Sequence, residues 1–115
     1  VKSTARLLSN MLFEERGRFA TEILIGGVDA SGAKLYIIDR LGSVTQDNYA
    51  AVGSGVQIAI GVLEEGYKMD MDVKEAKELV IKSVKSAISR DSSSGNGIDI
   101  LTITYDGVIE NTLEI

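Results

Sequence analysis

The run Glu22-Ile23-Leu24-Ile25-Gly26-Gly27-Val28 stops at Asp29-Ala30-Ser31-Gly32 and is answered at once by Lys34-Leu35-Tyr36-Ile37-Ile38-Asp39. Two apolar runs joined by so short a turn must reverse and pair antiparallel. The first run is continuous rather than alternating, the pattern of a strand covered on both faces. Gly26-Gly27 inside it predicts a bulge or a close packing contact. A second turn at Leu41-Gly42 leads to Ser43-Val44-Thr45, and Tyr49-Ala50-Ala51-Val52 reads as another short strand.

Helical periodicity flanks these strands. Ala5, Leu8 and Leu12, with Leu7 and Met11 beside them, make residues 2 to 13 the end of a helix, and the charged break Glu14-Glu15-Arg16-Gly17-Arg18 follows. Gly53-Ser54-Gly55 opens a second helix with the stripe Val56, Ala59, Ile60, Leu63 and Tyr67. Asp72 is the expected N-cap of a longer helix, and Glu75 three residues on completes a capping-box pattern. The stripe of that helix is Val73, Ala76, Val80, Val84, Ala87 and Ile88. After the polar loop Ser92 to Gly97, the strands Ile98–Tyr105 and Val108–Leu113 flank an Asp106-Gly107 turn. The order is helix, three strands, two helices, two strands. Helices then lie on a face of antiparallel strands, a layered α+β architecture.

Composition removes several classes of function. The chain holds no cysteine and no histidine, so it cannot itself run a Ser-His-Asp or Cys-His mechanism, and a zinc site would need carboxylates alone. A net charge of −5, with the charges mixed along the chain, argues against nucleic acid as a partner. Hydrophobic residues at 44% suffice for a packed core, yet the apolar runs are short and broken by glycine, so no membrane span is predicted. Nothing at the start reads as a signal peptide. Val1 is not an initiator methionine and periodicity begins almost at once, so a fragment cut within a domain is expected.

Asp91 breaks the local logic. Val80, Val84, Ala87 and Asp91 fall at i, i+4, i+7 and i+11, so Asp91 continues an apolar row and should point inward. In the last helical turn the dipole disfavours a negative charge by roughly 0.3–1 kcal/mol. An inward carboxylate there needs donors. Either it orients a catalytic group, or it is a structural carboxylate bonding the loop amides of Ser92 to Gly95. Serines 92, 93 and 94 place hydroxyls beside it, although serine after a helix is commonly a turn residue. Gly53-Ser54-Gly55 can bring backbone amides to an anion or a reacting centre. It is neither a phosphate-binding Gly-x-x-x-x-Gly-Lys loop nor a Gly-x-Ser-x-Gly elbow. Ser54 with Gln57 is itself a capping-box pattern, and pattern alone favours that reading. Glu64-Glu65 reads as a solvated helix face.

Together these segments resemble the proteasome β-subunit family, of archaeal or closely related type. The resemblance runs along nearly the whole chain, in the family's order. It is carried by Ile25-Gly26-Gly27-Val28-Asp29, by Leu35 to Gly42, by Tyr49 to Gly55 followed by Gly61-Val62-Leu63-Glu64, and most specifically by Arg90-Asp91-Ser92-Ser93-Ser94-Gly95-Asn96-Gly97-Ile98-Asp99. The last segment resembles the family's Arg-Asp-x-x-Ser-Gly signature and favours an active β type over the related α type.

The resemblance implies the C-terminal part of a single domain with the N-terminal-nucleophile hydrolase fold, an antiparallel β-sandwich between helical layers. It implies a subunit of the proteasome core particle, a cytoplasmic threonine-type endopeptidase that serves ATP-linked protein degradation. Its nucleophile is a mature N-terminal threonine whose own amine acts as base. That threonine lies in the family's N-terminal half, so this chain would hold only the supporting shell and be inactive alone. The implied roles are Asp91 as helper carboxylate and Ser94 as the hydroxyl beside the threonine amine. Gly95 would assist through its backbone, and Ser54 would hold the amine or its water. Asp39 and its flanks would face the substrate channel of the neighbouring subunit. Implied partners are other β subunits, α-subunit rings and unfolded polypeptide substrates. No cofactor, metal, nucleic acid or membrane is implied. A non-catalytic ring subunit is the alternative.

Overall fold

The computed structural model describes residues 2–7, 22–90 and 97–114. The chain forms two compact units, Val1–Val52 and Gly53–Ile115. In the first, residues 2–7 are helical (α1) and are followed by β1 (Ile23–Asp29), β2 (Gly32–Ile38) and β3 (Val44–Gln46). The second holds α2 (Val56–Gly66), α3 (Val73–Arg90), β4 (Gly97–Thr104) and β5 (Gly107–Glu114). Helices and antiparallel strands are segregated along the chain, as an α+β reading requires.

The three-stranded sheet has the order β1-β2-β3 and is antiparallel throughout. Its register pairs Ile23 with Ile38 and Ile25 with Tyr36, and Ile38 with Val44. These five side chains share one face, because alternate residues of a strand point the same way. Tyr36 and Ile38 there form a buried cluster with Ala5 of α1, and Ile23, Ile25 and Val44 pack against it. Ile38 is fully buried; sequestering a side chain of that size contributes about 1.5–3 kcal/mol. On the opposite face Leu24, Leu35 and Ile37 stay half-buried.

Two details of this unit differ from expectation, the bulge and the position of the third strand. All seven residues of β1 pair in unbroken register, so Gly26-Gly27 makes no bulge. A Cβ on Gly26 would meet Leu35 only at an ordinary 3.8 Å. The third strand is Val44–Gln46, whereas residues 49–52 are not extended ladder. The Asp39–Ser43 turn is what decides this. It closes so tightly that pairing with β2 begins at Val44, and the strand is used up before Tyr49.

In the second unit the Asp72 cap forms as expected. The Glu75 N–H donates to Asp72 Oδ1 at 2.8 Å, and the Asp72 N–H reaches back to Glu75 Oε1 at 3.4 Å. Glycine and proline are absent from the eighteen residues of α3, and Arg90 in its last turn suits the dipole. The buried positions of α3 are Ser83 and Ala87. Val73 and Val80 are 53% and 44% exposed, so the expected stripe turns inward only toward the C-terminal half. Ala59 and Leu63 are the buried residues of α2, while Tyr67 has left the helix in extended conformation. Gly66, which ends α2, sits so close to α3 that a Cβ would lie 2.3 Å from Leu79 Cδ1. Glycine there permits the approach of the two helices.

The β4–β5 hairpin pairs Thr104 with Gly107 across Tyr105-Asp106, and β1–β2 pairs Asp29 with Gly32 across Ala30-Ser31. In each, positive φ falls on the closing glycine, +129° at Gly107 and +111° at Gly32, and on neither central residue. Neither hairpin therefore closes with a type I′ turn, which needs positive φ at both central positions.

Candidate functional site

Among the candidate residues, Asp39 has the fullest geometry. It follows β2, where Ile38 anchors the backbone in the core. One carboxylate oxygen, Oδ1, accepts the Leu41 N–H at 2.9 Å and the Ser43 N–H at 3.0 Å. The Asp39 N–H donates to the Ser43 carbonyl at 3.1 Å, and the Gly42 N–H donates to the Asp39 carbonyl at 3.0 Å. Short polar side chains favour such turns because they can satisfy neighbouring amides themselves. Gly42 takes φ +85°, which a larger residue would resist. The outcome is a closed tip that leaves Leu41 74% exposed, beside an exposed Arg40.

Gly53-Ser54-Gly55 leads into α2 in the second unit. Gly53 has φ +111°, and its carbonyl accepts the Val56 N–H at 3.3 Å. Gly55 is the N-cap residue and α2 carries no side-chain cap. The Ser54–Gln57 capping box expected from pattern is therefore absent, because the helix starts one residue after the position that reading required. Ser54 is exposed.

Asp91, Ser94 and Gly95 lie outside the described residues. What is described is the helical row leading to them. Ser83 and Ala87 are buried and four apart, and Asp91 is four further on in sequence. Val80, which the same reading placed inward, is not buried. The inward row thus passes through Ser83 rather than Val80. Ser83 escaped sequence reasoning because it is polar; at 2% exposure its hydroxyl donates to the Val80 carbonyl at 2.7 Å, which removes the cost of burying it. Leu41, read in the sequence as part of the Leu41-Gly42 turn, is presented at the tip that Asp39-x-x-Gly42 closes.

The resolved charge perturbations lie away from these residues. Hydrogen bonds from the Ser31 hydroxyl and N–H hold the Asp29 carboxyl below its usual range. Lys68 and Glu75 pair at 2.8 Å, which lowers Glu75 and raises Lys68. The pair is exposed and adds little to stability. Among the described residues there is no cluster of acidic side chains able to hold a metal ion. No helix of the described residues is long and apolar enough to cross a membrane.

The comparisons with known proteins agree with one another. The family described as "Proteasome subunit" matches residues 1–103. The chain is 47% identical over its full length to "Proteasome subunit beta 2" of Caldivirga maquilingensis, covering 58% of that protein. It is 52% identical over 90% of its length to "Proteasome subunit beta 1" of Hyperthermus butylicus, covering 52% of it. To "Proteasome subunit beta 2" of Pyrobaculum arsenaticum it is 45% identical over its full length, covering 57% of that relative. The chain spans a little more than half the length of the curated relatives it matches. On the extent of the family match and the identity to these relatives, the chain belongs to the proteasome subunit family.

Proposed function

We propose that this chain is the C-terminal part of a catalytic β-type proteasome subunit, a cytoplasmic threonine-type endopeptidase. The observation that carries the reading is the identity of 47% to a β subunit along the whole chain. In this reading both units belong to one domain with the N-terminal-nucleophile hydrolase fold, an antiparallel sandwich between helical layers. Other β subunits complete a ring, α-subunit rings flank it, and unfolded polypeptides are degraded within in an ATP-linked process.

In this reading the threonine nucleophile belongs to the N-terminal half of the whole subunit. The residues here supply its surroundings. Asp91 is the helper carboxylate, Ser94 is the hydroxyl beside the threonine amine with the Gly95 backbone next to it, and Ser54 holds the amine or its water. The Arg90-to-Asp99 segment supports the catalytic over the purely structural ring subunit. The Asp39 tip serves the substrate channel of the neighbouring subunit.

The test is peptide hydrolysis by the full-length subunit assembled into rings, beside the 115-residue chain alone. Turnover is expected from the assembly and only background from the chain. Rings without peptidase activity would favour the non-catalytic subunit, and turnover by the isolated chain would contradict the division of labour.

A further inference from the structure

Asp106-Gly107, at the tip of the β4–β5 hairpin, takes no part in the function proposed above. The pair Thr104–Gly107 closes the hairpin, so Tyr105 and Asp106 form its tip. Tyr105 is 70% exposed, and Asp106 and Gly107 are exposed with it. Asp106 is held through its backbone, whose N–H donates to Thr104 Oγ1 at 3.2 Å. Among the described residues its carboxylate has no hydrogen-bond or ion-pair partner. The carboxylates of Asp29, Asp39, Asp47, Asp72 and Asp99 each accept a hydrogen bond. Asp70 precedes Met71, and a side chain on the following residue hinders approach to its nitrogen. Gly107 has no side chain, and a Cβ built there would meet nothing within 4 Å. Asp106-Gly107 thus joins an unengaged carboxylate to an uncrowded peptide nitrogen.

We propose that Asp106-Gly107 is a modification site, at which aspartate spontaneously becomes isoaspartate. The Gly107 nitrogen bonds to Asp106 Cγ, while its proton and the carboxyl hydroxyl leave together as water. The product is a cyclic imide. Water then opens the imide at either carbonyl. Opening at Cγ restores aspartate. Opening at the main-chain carbonyl carbon of Asp106 leaves the chain running through Cβ and Cγ, one backbone atom longer than before. Water is released and taken up again, and nothing is oxidised or reduced. The Gly107 nitrogen must rotate toward Cγ, a motion that glycine tolerates and that a hairpin tip allows by local opening. The added atom lies between Thr104 and Gly107, so isomerisation disturbs the pair that sets the register of the hairpin.

The experiment ages the full-length subunit, assembled into rings, at elevated temperature. Peptide mapping with electron-transfer fragmentation then locates isoaspartate. Isoaspartate is expected to accumulate at position 106 and to stay lower at Asp29, Asp39, Asp47 and Asp99. Asp106→Glu keeps the charge but cannot close the same ring, so the signal is expected to be lost. Asp106→Asn is expected to accumulate isoaspartate faster, because ammonia leaves an amide more readily than water leaves a carboxyl. Asn96-Gly97 is told apart in the same map, since converting an amide to an acid changes the mass and isomerising an aspartate does not. Ageing is also expected to quicken amide exchange at Ile103 and Val108 in the wild type and not in Asp106→Glu.

Rings that age without isoaspartate at position 106, while the denatured subunit forms it, would overturn the proposal, because the folded hairpin would then forbid ring closure. Equal accumulation at the hydrogen-bonded aspartates would overturn it too, since the unengaged carboxylate would not be what selects the site. A signal that persists in Asp106→Glu would place the chemistry elsewhere. Unchanged exchange at Ile103 and Val108 despite isomerisation would overturn the effect on register. Peptidase activity enters none of these outcomes, so they stand apart from the function proposed above.

Discussion

A carboxylate at the C-terminal end of a helix sits against the negative end of the dipole, so its presence there demands a compensating role. Asp91 follows Arg90, the last residue of α3, and lies four residues beyond Ala87 in a row that is buried at Ser83 and Ala87. The two roles open to it separate in one substitution. Asp91→Asn in the full-length ring keeps the shape and removes the charge. If the carboxylate orients the reacting threonine, kcat falls by about a hundredfold or more, the usual scale for a misplaced or uncharged acid–base partner, and thermal stability stays the same. If it only bonds loop amides, the melting temperature falls and kcat holds. Asp39 shows bonds of the loop-amide kind, since its carboxylate accepts the Leu41 and Ser43 N–H groups of its own turn. Sequence singled out Asp91 by its pattern and Asp39 only through the family resemblance. It could not tell them apart, because which amides converge on a carboxylate is set by the turn and not by the residue type.

Elements proved legible where a local rule has one dominant solution. The Asp72–Glu75 cap is such a rule, and it forms with the Glu75 N–H at 2.8 Å from Asp72 Oδ1. Asp72→Ala should cost about 1 kcal/mol of stability, read from urea denaturation of the full-length subunit. Glu75 also gives the cap a pH dependence. Its pKa is lowered by the Lys68 side chain first and the Asp72 backbone next. A lowered folded value means the contribution is present above the ordinary glutamate range, about 4.3, and is lost as pH falls through the lowered value. Lys68 is raised, so its share is present below the ordinary lysine range and lost as pH climbs through the raised value. Glu75→Gln should flatten the acid limb and return Lys68 toward its ordinary value in an NMR titration; an unmoved Lys68 would contradict the pairing. Ser54–Gln57 carries the same sequence pattern and forms no cap, since Gly53 at φ +111° turns the chain so that α2 starts from Gly55. The helical stripe was similarly half legible. Periodicity gave the row, but burial of Ser83 and exposure of Val80 depend on which neighbour packs where, and spacing carries no neighbour.

At the scale of the whole molecule, the β4–β5 hairpin carries more apolar surface than one packed face can use. Alternation puts Ile98 and Ile100, both buried, on one face and Leu101 and Ile103 on the other, at 57% and 40% exposure. Ile103 pairs with Val108, itself 61% exposed, so an apolar strip crosses both strands. A strand that is apolar on both faces is built to be covered on both. Among the described residues of this unit, one side has α3 and the other stays exposed. The relatives are nearly twice as long as this chain, which covers 58% of the first of them. A domain completed by further chain or by ring partners would bury the strip, whereas among the described residues it stays exposed, and such patches drive association. The isolated chain should therefore bind a hydrophobic dye and elute larger than its mass by size exclusion. Leu101→Lys with Val108→Lys should reduce both signals in the isolated chain, and in the full-length subunit the same pair should lower the yield of assembled rings. Equal dye binding with and without the lysines would show that the strip is not the sticky surface. Unchanged ring yield would show that nothing in the complete subunit covers it.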